Sequence, residues 1–121
     1  MTSGRPADRL QDILDNITRI ERHVGTMTRD GFRANDLVRD AVERCFSRIS
    51  EAAAKLGDVL DARYPDVPWV QVRRFGNVLR HAYDQVIDDV IWETVQRRLG
   101  PLRAARAQEL AALNAGRAVD R

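Results

Sequence analysis

Between Leu37 and Leu56, apolar or small residues recur every three or four positions: Leu37, Val38, Ala41, Val42, Cys45, Phe46, Ile49, Ala52, Ala53 and Leu56. Such a stripe is one face of an α-helix. It fits no strand, whose side chains alternate with a period of two. A helix about 30 Å long with one apolar face must bury that face against other helices. The same spacing recurs along the chain. Leu10, Ile13, Leu14, Ile17 and Ile20 mark a first helix from about Ala7 to Val24, with Gly25 as its stop. Thr28 starts a short turn carrying Phe32. Asn35 caps the long helix, and Gly57 ends or weakens it. After a loop from Tyr64 to Pro68, Pro68 opens a helix that turns Trp69, Val72, Phe75, Val78 and Leu79 inward. A later helix from around Asp88 carries Val90, Ile91, Trp92, Val95 and Leu99, until Gly100-Pro101 breaks or kinks it. Leu102 to Ala115 can form another. The expectation is an all-α bundle of four main helices plus a possible fifth.

The chain has 121 residues, about one domain. With 44% hydrophobic and 31% charged residues it reads as a soluble globular protein. No apolar run approaches the ~18 residues that span a bilayer. The opening MTSGRPADRL lacks an apolar signal core, so a cytoplasmic protein without a membrane partner is expected. One Cys and two His exclude a four-ligand Cys/His zinc site within the chain. There is no P-loop, G-x-G-x-x-G, H-E-x-x-H, EF-hand loop or G-x-S-x-G elbow, and no cofactor is expected. A net charge of +2 is too mild to imply nucleic-acid binding by itself. Its distribution is uneven. Arg73, Arg74 and Arg80 lie together, followed by Asp84, Asp88, Asp89 and Glu93. A basic spot beside an acidic one suits a phosphate site, a charged partner or plain salt bridges on helix surfaces.

The stretch PWVQVRRFGNVLRHAYDQVIDDVIW, from Pro68 to Trp92, concentrates the residues able to do chemistry. At about 100° per residue, Arg74, Asn77 and His81 share one stripe within about 60°, and Arg73 and Arg80 lie about 80° and 100° from His81. Arg74 stands about 10 Å along the axis from His81, so a phosphate or a second subunit would have to bridge the gap. A histidine of near-neutral pKa moves protons, and an arginine fork binds phosphate and stabilises developing negative charge. An asparagine can orient either group. This set suits metal-independent RNA cleavage in which the substrate's own 2′-OH attacks phosphorus. The alternative is a solvated helix face. Tyr83, about 200° from His81, cannot share its face in a regular helix and reads by pattern as a core or interface residue. Cys45, Trp69 and Trp92 read as core or interface residues, although Trp69 could stack on a base, and His23 receives no role.

DRLQDILDNITRIERHVG, LVRDAVERCFSRISEAAAKL with its Glu51-Ala52 pair, YPDVPW, GNVLRHAYD and VIW together resemble the HepT-like family of HEPN-domain proteins. The resemblance covers about residues 8–102, with 103–121 as a helical tail of the same single domain. It implies a helical HEPN bundle that forms a homodimer with its cleft at the subunit interface. It also implies a metal-independent endoribonuclease acting on RNA, the toxin of a toxin–antitoxin pair whose antitoxin is a small MNT-type nucleotidyltransferase. That partner can transfer AMP to the tyrosine after the catalytic histidine. Carried over, His81 is the base or acid, Asn77 the preceding polar position and Tyr83 the modification site. The family's usual arginine, separated from the histidine by four residues, falls here on Gly76. The wider HEPN pattern allows up to six intervening residues, which Arg74 satisfies. Arg73 is the fallback, and Arg73 and Arg80 are secondary phosphate contacts. The departure leaves a second expectation: a weak or inactive module that dimerises and binds a nucleotidyltransferase or nucleotides.

Overall fold

The computed structural model describes residues 5–81 and 85–119. Among them there is no strand. The helices are α1 (Pro6–Val24), α2 (Arg29–Arg33), α3 (Asp36–Leu56), α4 (Val59–Arg63), α5 (Trp69–His81), α6 (Gln85–Arg97) and α7 (Leu99–Val119). The all-α expectation holds. Four of the five longer helices match the expected bundle, and α7 is the possible fifth. None of the described helices is long and apolar enough to cross a membrane.

Local chemistry sets the helix ends. Gly25 and Gly57 take positive φ, 53° and 74°, at the stops of α1 and α3, a conformation that costs other residues a Cβ clash. Asn35 accepts from the Val38 amide and Thr28 from that of Gly31, satisfying orphan donors at the starts of α3 and α2. The break between α6 and α7 falls at Arg98. Pro101 then sits in the first turn of α7, where a missing N–H costs nothing, so Gly100-Pro101 belongs to a helix start.

The long helix α3 is the centre of the molecule and packs between α1 and α5, while α7 lies along α1. Leu10, Ile13, Ile17 and Ile20 of α1 meet Val42, Cys45, Phe46 and Ile49 of α3 in one core. Short α2 brings Phe32, fully buried, to within 5.5 Å of the Trp92 ring on α6. Three positions expected inside lie outside: Leu37 is 80% exposed, Val78 45% and Val90 42%. Leu37 sits in the first turn of α3. Val78 lies on the flank of α5 that turns from α3.

Candidate functional site

The entry to α5 is fixed by Trp69. Its ring is buried and its indole N–H donates to the Tyr64 carbonyl at 3.0 Å. A buried, anchored indole is a core residue and cannot stack on a base. From there the helix runs without a break to His81. Phe75 meets Phe46 edge-on at 5.1 Å, and Leu79 is buried.

Gly76 belongs to this inward face. The Ser50 hydroxyl of α3 donates to the Arg73 carbonyl at 2.6 Å and accepts from the Gly76 amide at 3.1 Å. A Cβ added at Gly76 would stand 3.2 Å from Ser50 Oγ and 3.3 Å from Ser50 Cβ. Residue 76 is therefore glycine because two helices touch there, and a side chain at that position meets α3. The outward face carries Val70, Arg74, Asn77, Val78 and Arg80, all exposed. Arg74 makes no ion pair with a described residue. Along this regular helix it shares a stripe with Asn77 and with the backbone position of His81. The His81 side chain and Tyr83 lie outside the described residues.

Arg73 is placed differently. Its guanidinium grips Asp61 with two 2.8 Å bonds and reaches the Gly57 carbonyl at 3.1 Å. The hydrogen bonds from Arg73 hold the Asp61 carboxyl below its ordinary range, and Asp61 in turn raises the Arg73 value. The structure thus spends Arg73 on pinning α5 to α4. The acidic residues downstream are engaged as well. Asp89 takes a forked contact from Arg33 at 2.6 and 2.7 Å, Glu93 pairs with Arg29 and Arg97, and Asp88 faces Arg39 at 3.6 Å. These are the plain salt bridges of the sequence reading, and most of them tie α6 to α2 and α3.

Sequence reasoning did not foresee a cleft of about 530 Å³ between α3, α5, α6 and α7. Phe46, Ile49, Val72, Phe75, Leu99 and Leu102 line it together with several charged residues. Arg74, Asn77 and Arg80 do not line it. No sequence signal marks it, because its walls come from four different helices.

The family model described as "Ribonuclease HepT-like" matches residues 13–108. The chain belongs to this HepT-like ribonuclease family. Among its relatives, a Methanocaldococcus jannaschii protein named "Putative RNase" is 34% identical over 86 residues, 71% of each chain. A Thermococcus cleftensis protein named "Probable ribonuclease HepT" is 29% identical over 96 residues, 79% of this chain and 87% of that one. No solved structure matches significantly. The matched segment contains all of α3, α4, α5 and α6, and with them the outward stripe of α5.

Proposed function

We propose that this HepT-like chain is a metal-independent endoribonuclease whose working groups are Arg74, Asn77 and His81. Family membership supports ribonuclease chemistry, and the observation that carries the choice of residues is the geometry of α5. Arg74 is exposed, lacks a carboxylate partner among the described residues and lies on the stripe of Asn77 and His81. Arg73 is committed to Asp61. Arg74 would hold the scissile phosphate and stabilise its added charge. Asn77 would orient it. One His81 would take the proton of the 2′-OH as that oxygen attacks phosphorus. The leaving 5′-oxygen would receive a proton from a second histidine, and the products would be a 2′,3′-cyclic phosphate and a 5′-hydroxyl. A symmetric dimer supplies that second group and closes the gap of about 10 Å between Arg74 and His81.

In this reading the protein is the toxin of a toxin–antitoxin pair. A cognate MNT-type nucleotidyltransferase would silence it by joining AMP from ATP to the Tyr83 oxygen, with release of pyrophosphate. The bulk and charge of AMP two residues from His81 would keep RNA from the α5 stripe.

The test is cleavage of a labelled RNA by the purified protein in EDTA, beside His81→Ala. The expected result is cyclic-phosphate ends with wild type and none with a folded mutant. A second reading rests on Gly76, which takes the family's arginine position and faces α3. If the chain is an inactive interaction module, both proteins leave RNA intact while still folding, dimerising and capturing the nucleotidyltransferase.

A further inference from the structure

Several arginines among the described residues have a carboxylate. Arg33, Arg39, Arg63, Arg73, Arg97 and Arg103 each reach an Asp or Glu. Arg19 and Arg22 on α1 and Arg48 on α3 are exceptions, with no ion pair to a described residue. The nearby acids are engaged elsewhere. Glu21 pairs with Arg103, Glu51 with Lys55, Asp12 with Arg9, and Asp15 accepts from Gln11. Arg19 and Arg22 lie one turn apart on α1, and Arg48 lies on α3, the helix packed against it. Burial pushes the Cys45 thiol up, and the positive charges of Arg48, Arg19 and Arg22 all oppose that rise. The end of the α1 dipole accounts for a cation at Arg22, in the last turn, but not for Arg19 or the mid-helix Arg48.

A polar cleft of about 210 Å³ adjoins this cluster along the α1/α3 seam and shares Arg48 with it. Asn16 lines it and is only 7% exposed. Its amide donates to the Asp12 carbonyl at 2.8 Å, but its buried Oδ1 has no hydrogen-bond partner. A buried acceptor left unpaired is costly, so it calls for a donor from something that enters the cleft. Three uncompensated guanidiniums beside an acceptor match a chain of phosphates carrying hydroxyl and amino donors.

We propose that the α1/α3 face is a second contact surface for single-stranded RNA, with Arg19, Arg22 and Arg48 on its phosphates and Asn16 Oδ1 accepting from a nucleotide donor group. The proposal rests on the ribonuclease reading for its choice of ligand. The surface is distinct from the α5 stripe. Arg48 lies about 160° around α3 from Ser50, which touches α5. A strand bound here is held at α1/α3 while another part of it reaches the α5 stripe, so the face sets affinity and substrate length, not the chemical step.

The test is binding of a labelled single-stranded RNA by fluorescence anisotropy across a salt series, in a His81→Ala background. Neutralising the surface with Arg19→Gln, Arg22→Gln and Arg48→Gln together should weaken binding tenfold or more and lower the salt slope by about 2, from ~0.7 per phosphate contact. The same charge change on another face, Arg29→Gln, Arg97→Gln and Arg98→Gln, should alter affinity less than about threefold. Asn16→Ala should weaken binding roughly fivefold with the slope intact, since it removes one hydrogen bond and no charge. In the otherwise wild-type chain the triple variant should raise KM and keep kcat. Equal losses in both triple variants, no loss in either, or no RNA binding at all would overturn the proposal. An unchanged affinity in Asn16→Ala would remove the cleft from it. RNA held by these arginines without any cleavage would sink the nuclease reading and leave the surface standing.

Discussion

Gly76 and its neighbours show how one position constrains the chemistry around it. The Ser50 hydroxyl sits between the Arg73 carbonyl and the Gly76 amide, and the space it fills is the space a side chain would need. Gly76→Arg would write the family's usual spacing back into the sequence, yet it should not raise activity. The new side chain meets Ser50, and overpacking of this kind costs about 1–3 kcal/mol. A urea titration should show the lower midpoint. Arg74 and Arg73 make the converse comparison. Arg74→Gln should leave the unfolding midpoint within about 0.5 kcal/mol of wild type, as for an exposed unpaired side chain, while cutting cleavage at least tenfold. Arg73→Gln should lower stability through the lost Asp61 contact. Equal loss of activity with equal loss of stability in both variants would mean that the two arginines do the same structural job.

At the scale of elements, the caps and stripes were legible because they are local. Asn35, Thr28, Gly25 and Gly57 act within one turn of themselves, and the apolar spacing of α1 and α3 needs nothing beyond its own periodicity. What was not legible depends on distant partners. Ser50 on Gly76, Arg73 on Asp61 and Arg33 on Asp89 join residues 26, 12 and 56 positions apart, and no spacing rule pairs them. For the same reason the outward stripe of α5 can be drawn from sequence, but Val78, an apolar residue that spacing points inward, lies exposed beside it. The seam of α3 and α6 yields a prediction of its own. Burial raises the pKa of Glu43, and the negative charges of Asp40 and Asp88 raise it further. A carboxyl with a folded pKa above its unfolded one favours folding below the unfolded value. That advantage is lost as the pH rises through the folded value. Glu43→Gln should therefore raise Tm at pH 7, and the gain should vanish below about pH 4, where both side chains are neutral. A melting series over pH checks the sign.

For the whole molecule, the question is how one chain could assemble a site whose proposed groups are spread along a single exposed helix face. Val70 and Val78, 47% and 45% exposed, flank Arg74 and Asn77 on that face. Apolar side chains beside uncompensated polar ones are what an interface with a polar centre requires. A two-fold axis between Asn77 and His81 would set Arg74 of one chain toward the end of α5 in the other and bring two copies of His81 to one phosphate. On this arrangement dimerisation and catalysis fail together. Val78→Glu puts a charge into the proposed seam, and it should shift the 13.8 kDa chain from twice that mass to a monomer in sedimentation, with its helical signal unchanged. Cleavage should fall at least a hundredfold and recover in part at high protein concentration, as mass action restores the pair. A monomeric variant that cleaves at the wild-type rate would mean that one α5 carries the whole site. The neighbouring Arg80 would then be the first candidate for the missing charge.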